Sequence, residues 1–282
     1  MLYEYQPTAL AVREYVMAYR LWQKLDLQIK AFGRMGADAA FLDQYEPMIS
    51  ALRLRERKYK DRIGDTLEGT TIGDWAESTA GLSANNVGLI LGCLPCRIDH
   101  MVVKGTDNRC PSPALSYLGL DPVNGKSRKR ERGKHAGFNV LYRSFVIYRM
   151  GEPCMKCRTS PYRAIYDKRR EHTMDTHPSM FVLVPDDDGK MKETRELTEP
   201  DCPSCNEAIG ASKKERAEKN QTRERTTVAW DCAHYGGIHW KRGHRHADAM
   251  RVMSKQIVID MWRVGSGMEP RHTAIAAELV AA

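Results

Sequence analysis

Two Cys-x-x-Cys pairs, Cys154/Cys157 and Cys202/Cys205, constrain this chain more than any other pattern in it. Two residues between thiolates let one tight turn present both sulfurs to the same ion, and a second such turn completes a tetrahedron. The spacing therefore predicts a Zn2+ held by Cys154, Cys157, Cys202 and Cys205. The 44 residues between Cys157 and Cys202 exceed the interval of a compact ribbon, so the pairs bracket a small zinc-ribbon-like insertion. A zinc saturated with thiolates has no open position for water, which makes its expected role structural. The alternative is four ordinary buried or free thiols.

At 282 residues the chain can bury a substantial core without disulfides. Its eight cysteines, with an N-terminus lacking a basic segment followed by an apolar run, predict a reducing compartment. No apolar run approaches a membrane span and the mean hydropathy is -0.54, so the expectation is a soluble cytoplasmic protein without a membrane partner. A net charge of +8 and a pI near 9.0 favour a polyanionic partner, because phosphates neutralised by Lys or Arg release counterions. For a DNA partner the expected location is the nucleoid.

The apolar periodicity reads as mainly α. Leu21, Leu25, Ile29 and Phe32 recur at helical spacing, Gly33 and Gly36 break the helix, and a second helix carries Phe41, Tyr45, Met48 and Leu52. The two are expected to pair as an antiparallel hairpin over residues 1–66, with Tyr15, Tyr19 and Trp22 available for homo-oligomer contacts. The run Arg53, Arg55, Arg57, Lys58, Lys60 and Arg62 is either a solvated face or a DNA-backbone contact.

From Thr71 to Leu94 the pattern is a short helix, a turn at Gly81 and a second short helix capped by Ser83. A helix-hairpin-helix of this kind presents free backbone N–H groups to a phosphate, which places Gly81, Ser83 and Asn85 at a DNA backbone. The competing reading is a plain turn with a glycine C-cap. Between Asn124 and His135, Lys126, Arg128, Lys129, Arg130, Arg132 and Lys134 face one acid, Glu131. Such a glycine-containing loop repels itself and is relieved by phosphates, so these six residues are the strongest candidates for nucleic-acid contact. An apolar helix follows from Val140 to Met150.

The predicted layout is a hairpin (1–66), a helix-hairpin-helix domain (67–150 with 226–264), a cysteine insertion with its charged linker (151–225) and a tail (265–282). Within the insertion, Pro185-Asp-Asp-Asp-Gly-Lys reads as a hairpin tip. Ala247, Met250, Met253, Ile257 and Met261 mark the inner side of a late helix. His234, His239, His244 and His246, with Cys232, are either ligands or nucleic-acid and solvent contacts.

The order of parts resembles the C-terminal half of the transposases of bridge-RNA-guided insertion sequences. The resemblance rests on Ala80-Gly-Leu-Ser-Ala-Asn-Asn-Val-Gly-Leu-Ile-Leu, Leu115-Ser-Tyr-Leu-Gly-Leu-Asp-Pro, Gly133-Lys-His-Ala-Gly-Phe-Asn and His246-Ala-Asp-Ala-Met-Arg-Val-Met-Ser-Lys. It implies DNA transposition or recombination, a structured guide RNA as a further partner, and a serine nucleophile shortly after the Gly-Leu-x-Pro element. Ser127 is the matching position, although it follows Gly125 and Lys126, whereas the family serine lies next to glycine. Ser112 and Ser116 are weaker candidates. The family's RuvC-like domain has no counterpart here, since the residues before the hairpin turn read as helices.

Three functions follow: a transposase-like DNA binder, an active serine recombinase, and a zinc-stabilised helical adaptor for an acidic protein. The zinc expectation is tested by metal analysis of the purified chain. About one zinc per chain is expected, and Cys202→Ser should release it while the helical signal persists. A metal-free chain removes the claim.

Overall fold

The computed structural model describes residues 5–103, 108–123, 126–128, 133, 135–176, 181–185, 191–195 and 242–272. These residues are mainly helical. The chain divides into two compact units, residues 1–165 with 250–282 and residues 166–249.

The first unit begins with α1 (Tyr5–Arg34), α2 (Ala39–Asp43) and α3 (Glu46–Asp65). Thr8 bonds Thr66 at 2.8 Å, Arg55 bonds Glu14 at 2.9 Å and Trp22 Nε1 donates to Glu56 at 2.6 Å, an order that makes α1 and α3 antiparallel. The buried face of α1 is Thr8, Ala11, Val12, Tyr15, Val16 and Ala18, not the expected stripe. Leu21, Phe32, Phe41 and Met48 are exposed, while Leu25, Ile29, Tyr45 and Leu52 are half-buried. The helical period is correct, but the packed neighbours bury the N-terminal half of α1, where small and aromatic residues carry the face. Tyr15 stacks on Tyr19 and meets Phe145 edge-on at 6.0 Å, and Trp22 meets Tyr19 at 5.7 Å. Tyr15 is buried in this packing, while Tyr19 and Trp22 are half-buried.

Next come α4 (Thr71–Ser78) and α5 (Ala84–Cys93). The sequence of α5 is apolar around most of its circumference, the mark of a helix enclosed by others. Val87, Leu89, Ile90 and Leu91 are all buried. Two glycines, one turn apart, set how near its neighbours come. A Cβ at Gly88 would lie 2.7 Å from Ile63 Cγ2 of α3, and one at Gly92 would lie 2.5 Å from Val12 Cγ2 of α1.

After α6 (Ser112–Tyr117), Leu118 and Leu120 are fully buried on either side of Gly119, whose missing side chain admits the Phe138 ring. A short hairpin, β1 (Pro122–Val123) with β2 (Lys126–Ser127), precedes α7 (Val140–Phe145), a turn of π-helix over Val146–Gly151, and α8 (Glu152–Lys156). Then come α9 (Pro161–Thr176) and the last described helix, α10 (Arg242–Gly265). The inner face of α10 holds Met250, Met253, Ile257 and Met261 as expected. Ala249 is buried in place of the exposed Ala247.

Asp260 in α10 is fully buried and accepts hydrogen bonds from Tyr162, Gln256 and the backbone amides of Arg271 and His272. Burial alone would raise its carboxyl pKa. The bonds from His272, the Arg271 amide, Tyr162 and Gln256 outweigh it and hold the carboxyl below its ordinary value.

In the second unit, β3 (Phe181–Pro185) pairs antiparallel with β4 (Met191–Arg195), flanking the expected tip, whose residues 186–190 lie outside the described set. Tyr166 bonds His246 at 2.7 Å and Arg169 pairs with Asp248 at 2.6 Å. Among the described residues no helix is long and apolar enough to cross a membrane.

Asp260→Ala strands several buried donors and should lower the unfolding free energy by about 3 kcal/mol at pH 7. A carboxyl with a depressed folded pKa stabilises fully above its unfolded pKa of about 4. The difference between wild type and variant in denaturant melts should therefore narrow as pH falls through the lower, folded pKa. Equal melts at pH 7 contradict this role.

Candidate functional site

The α4–α5 turn is closed from within. Thr79 and Ser78 hydroxyls both donate to the Trp75 carbonyl, and Leu82 N donates to Thr79 O at 2.9 Å. Gly81 has φ +89°, a backbone that favours glycine. Ser83 accepts from Asn86 N at 3.4 Å, capping α5. The Ala84 amide, which a phosphate would need, donates to the Glu77 carboxylate at 2.7 Å. Asn85 places its amide oxygen against Gly64 of α3. The three residues expected at a phosphate thus have internal roles: Gly81 packs on Cys154, Ser83 caps and Asn85 packs on α3. The helix start does accept an anion, and its occupant is the chain's own carboxylate.

Gly81 joins this turn to the first cysteine pair. Cys154 Sγ donates to Gly81 O at 3.4 Å, and Cys154 Cα lies 2.8 Å from where a Gly81 Cβ would sit. Cys154 is fully buried, and burial pushes its thiol up to about 12. Cys157 is half-buried, and a hydrogen bond with Thr159 lowers its pKa. Two unbridged thiols with two residues between them are the donor chemistry of half a zinc site. Cys202 and Cys205 lie outside the described residues, as do Cys232, His234 and His239. Among the described residues no three His, Cys, Asp or Glu side chains are grouped to hold a metal. A further Cys-x-x-Cys, Cys93/Cys96, was missed in the sequence; Cys93 is a core residue with its thiol pushed up by burial.

The basic loop is described in part. Lys129, Arg130, Arg132 and Lys134 lie outside the described residues, and of Lys126 only the backbone is described. The Arg128 guanidinium bonds Asp121 at 2.7 Å, Ser116 at 3.0 Å and the Gly137 carbonyl at 3.2 Å.

Ser127 stands beside a cation the sequence reading missed. Arg143 Nη2 donates to Ser127 Oγ at 3.0 Å, while Nη1 donates to the Arg128 carbonyl at 2.7 Å. The guanidinium lies 5.2 Å from the Phe138 ring centroid. Burial, then repulsion from Arg251, lowers the Arg143 pKa. Among the described residues no carboxylate pairs with Arg143, and none bonds Ser127. The hydroxyl therefore has a charged donor but no described base. Arg143 was overlooked because it sits in an apolar helix, where its one signal is being a lone cation in the first turns.

No protein-family model, curated protein or solved structure matches this chain.

Proposed function

We propose that this chain is a transposase-like DNA-binding protein that holds the sugar-phosphate backbone in DNA transposition or recombination. Arg143 carries the reading. Among the described residues this half-buried guanidinium has no carboxylate partner and is crowded by a second arginine, a situation that a phosphate oxygen relieves. The adjoining loop cations, Lys126, Lys129, Arg130, Arg132 and Lys134, extend that contact along the backbone. The helix-hairpin-helix turn makes a second contact once a phosphate replaces Glu77 at the Ala84 amide. The sequence resemblance supplies the transposase context, the guide RNA as a further partner and a nucleoid location. A zinc ribbon, held by Cys154, Cys157, Cys202 and Cys205, staples the fold beside that turn and takes no part in chemistry.

The hydrogen bond from Arg143 to Ser127 Oγ favours one second reading, an active serine recombinase. In that reaction Oγ attacks phosphorus, its proton leaves to solvent, and a deoxyribose oxygen departs as the Ser127–phosphate bond forms. Arg143 steadies the charge that builds on the non-bridging oxygens. The distinguishing observation is a covalent protein–DNA adduct that disappears in Ser127→Ala.

Binding to duplex DNA, followed by fluorescence anisotropy across a salt series, tests the main reading. Affinity should fall steeply with salt, and Arg143→Gln should weaken binding and reduce the log–log slope by about 1. An unchanged slope, or negligible binding at low salt, overturns it in favour of an adaptor for an acidic protein. Glu77→Gln, which removes a negative charge from the α5 start, should tighten DNA binding by about two- to fivefold; unchanged affinity excludes the turn from the interface.

A further inference from the structure

Beside the α4–α5 turn, an open cavity of about 520 Å3 is bounded by residues of α4, the start of α9 and the segment that follows α10. Two polar side chains in its lining, Trp75 and His272, set its chemistry. Trp75 is 8% exposed and lines the cavity, and its indole N–H makes no hydrogen bond. His272 is 9% exposed and also lines it. Its Nδ1 lies 3.2 Å from buried Asp260 and 3.1 Å from the Tyr162 hydroxyl. Beside the Asp260 carboxylate, Nδ1 is the ring nitrogen that donates.

The rest of the lining narrows the ligand. Pro161, Met268 and Pro270 supply apolar wall, and Glu269 supplies a carboxylate. An occupant must present apolar faces, an acceptor for the indole N–H, and polar edge groups for the imidazole and the carboxylate. Inorganic phosphate has no apolar face, and a hydrocarbon has no polar edge. A nucleobase has both, and the cavity volume falls in the range of ordinary ligand sites.

We propose that this cavity binds a single nucleobase, either turned out of a nucleic-acid strand or carried by a free mononucleotide. The site extends the DNA-binding reading to one base, and titration with mononucleotides lets it stand or fall separately from backbone affinity.

The test is calorimetric titration of the full chain with each of the four nucleoside monophosphates. Saturable binding of at least one is expected. Trp75→Phe, which keeps a ring and removes the N–H, should weaken it about fivefold. Glu269→Gln, at an exposed position, should weaken it severalfold and serves as the readout if Trp75→Phe fails to fold. Absence of binding at millimolar nucleotide, or binding that neither variant changes, overturns the proposal. A short single strand then identifies the source. An affinity that drops at an abasic position, and no longer responds to Trp75→Phe, assigns the base to the strand. Equal affinity for intact and abasic strands, with mononucleotide binding retained, assigns the cavity to a free nucleotide.

Discussion

The close approach of α5 to α1 and α3 is the constraint on which the first unit depends. Gly88 and Gly92 present no side chain where Ile63 and Val12 come in, and any larger residue would hold the helices apart. With α5 seated this way, the position of its N-terminus is fixed, and with it the turn through Gly81. That turn in turn meets Cys154 so closely that a methyl group at residue 81 has no room. Helix packing, turn and cysteine pair are therefore one mechanical assembly, and a change in any of them is felt by the others.

Charge is arranged on this frame in two different ways. Arg128 is paired with Asp121 and tied to Ser116 and Gly137. Arg143, fifteen residues later, bonds neutral oxygens among the described residues and faces the field of Arg251. On the DNA-binding proposal, desolvation with no counterion among the described residues makes the second arginine the anion-seeking one. At the α5 start, Glu77 satisfies an amide that otherwise calls for an anion, so in the proposed interface a phosphate would first have to displace a carboxylate there.

Much of the helical order was legible in the sequence because local signals agree there. Ser83 caps α5, Gly81 turns left-handed between two short helices, and the Met250–Met261 face of α10 follows the helical period into the core. The face of α1 was misjudged because periodicity reports which residues share a side, not which side finds neighbours. Leu21 satisfies the pattern and stays exposed, while Thr8 and Tyr15 are buried by what packs on them. The site was harder to read for a related reason. The meeting of Ser127 with Arg143 spans sixteen residues, and the choice of Asp121 as the partner of Arg128 depends on the fold of the intervening loop. Charge runs show where cations are dense, but burial and pairing decide which of them remains available.

The same principle links Asp260 and His272, twelve residues apart, to Tyr162, which lies 98 residues before Asp260 and meets them in the core of the first unit. Nothing local to any of them announces the others. Their convergence fixes the segment after α10, and that segment helps to bound the cavity beside the α4–α5 turn.

Photo-crosslinking to DNA that carries halogenated bases, followed by mapping of the attached peptides, tests the central claim most directly. The account predicts adducts in the peptides that contain Ser127 to Arg143, and loss of those adducts when Arg143 is replaced by Gln. Adducts confined to other parts of the chain, with the Ser127–Arg143 peptides unmodified, would contradict it.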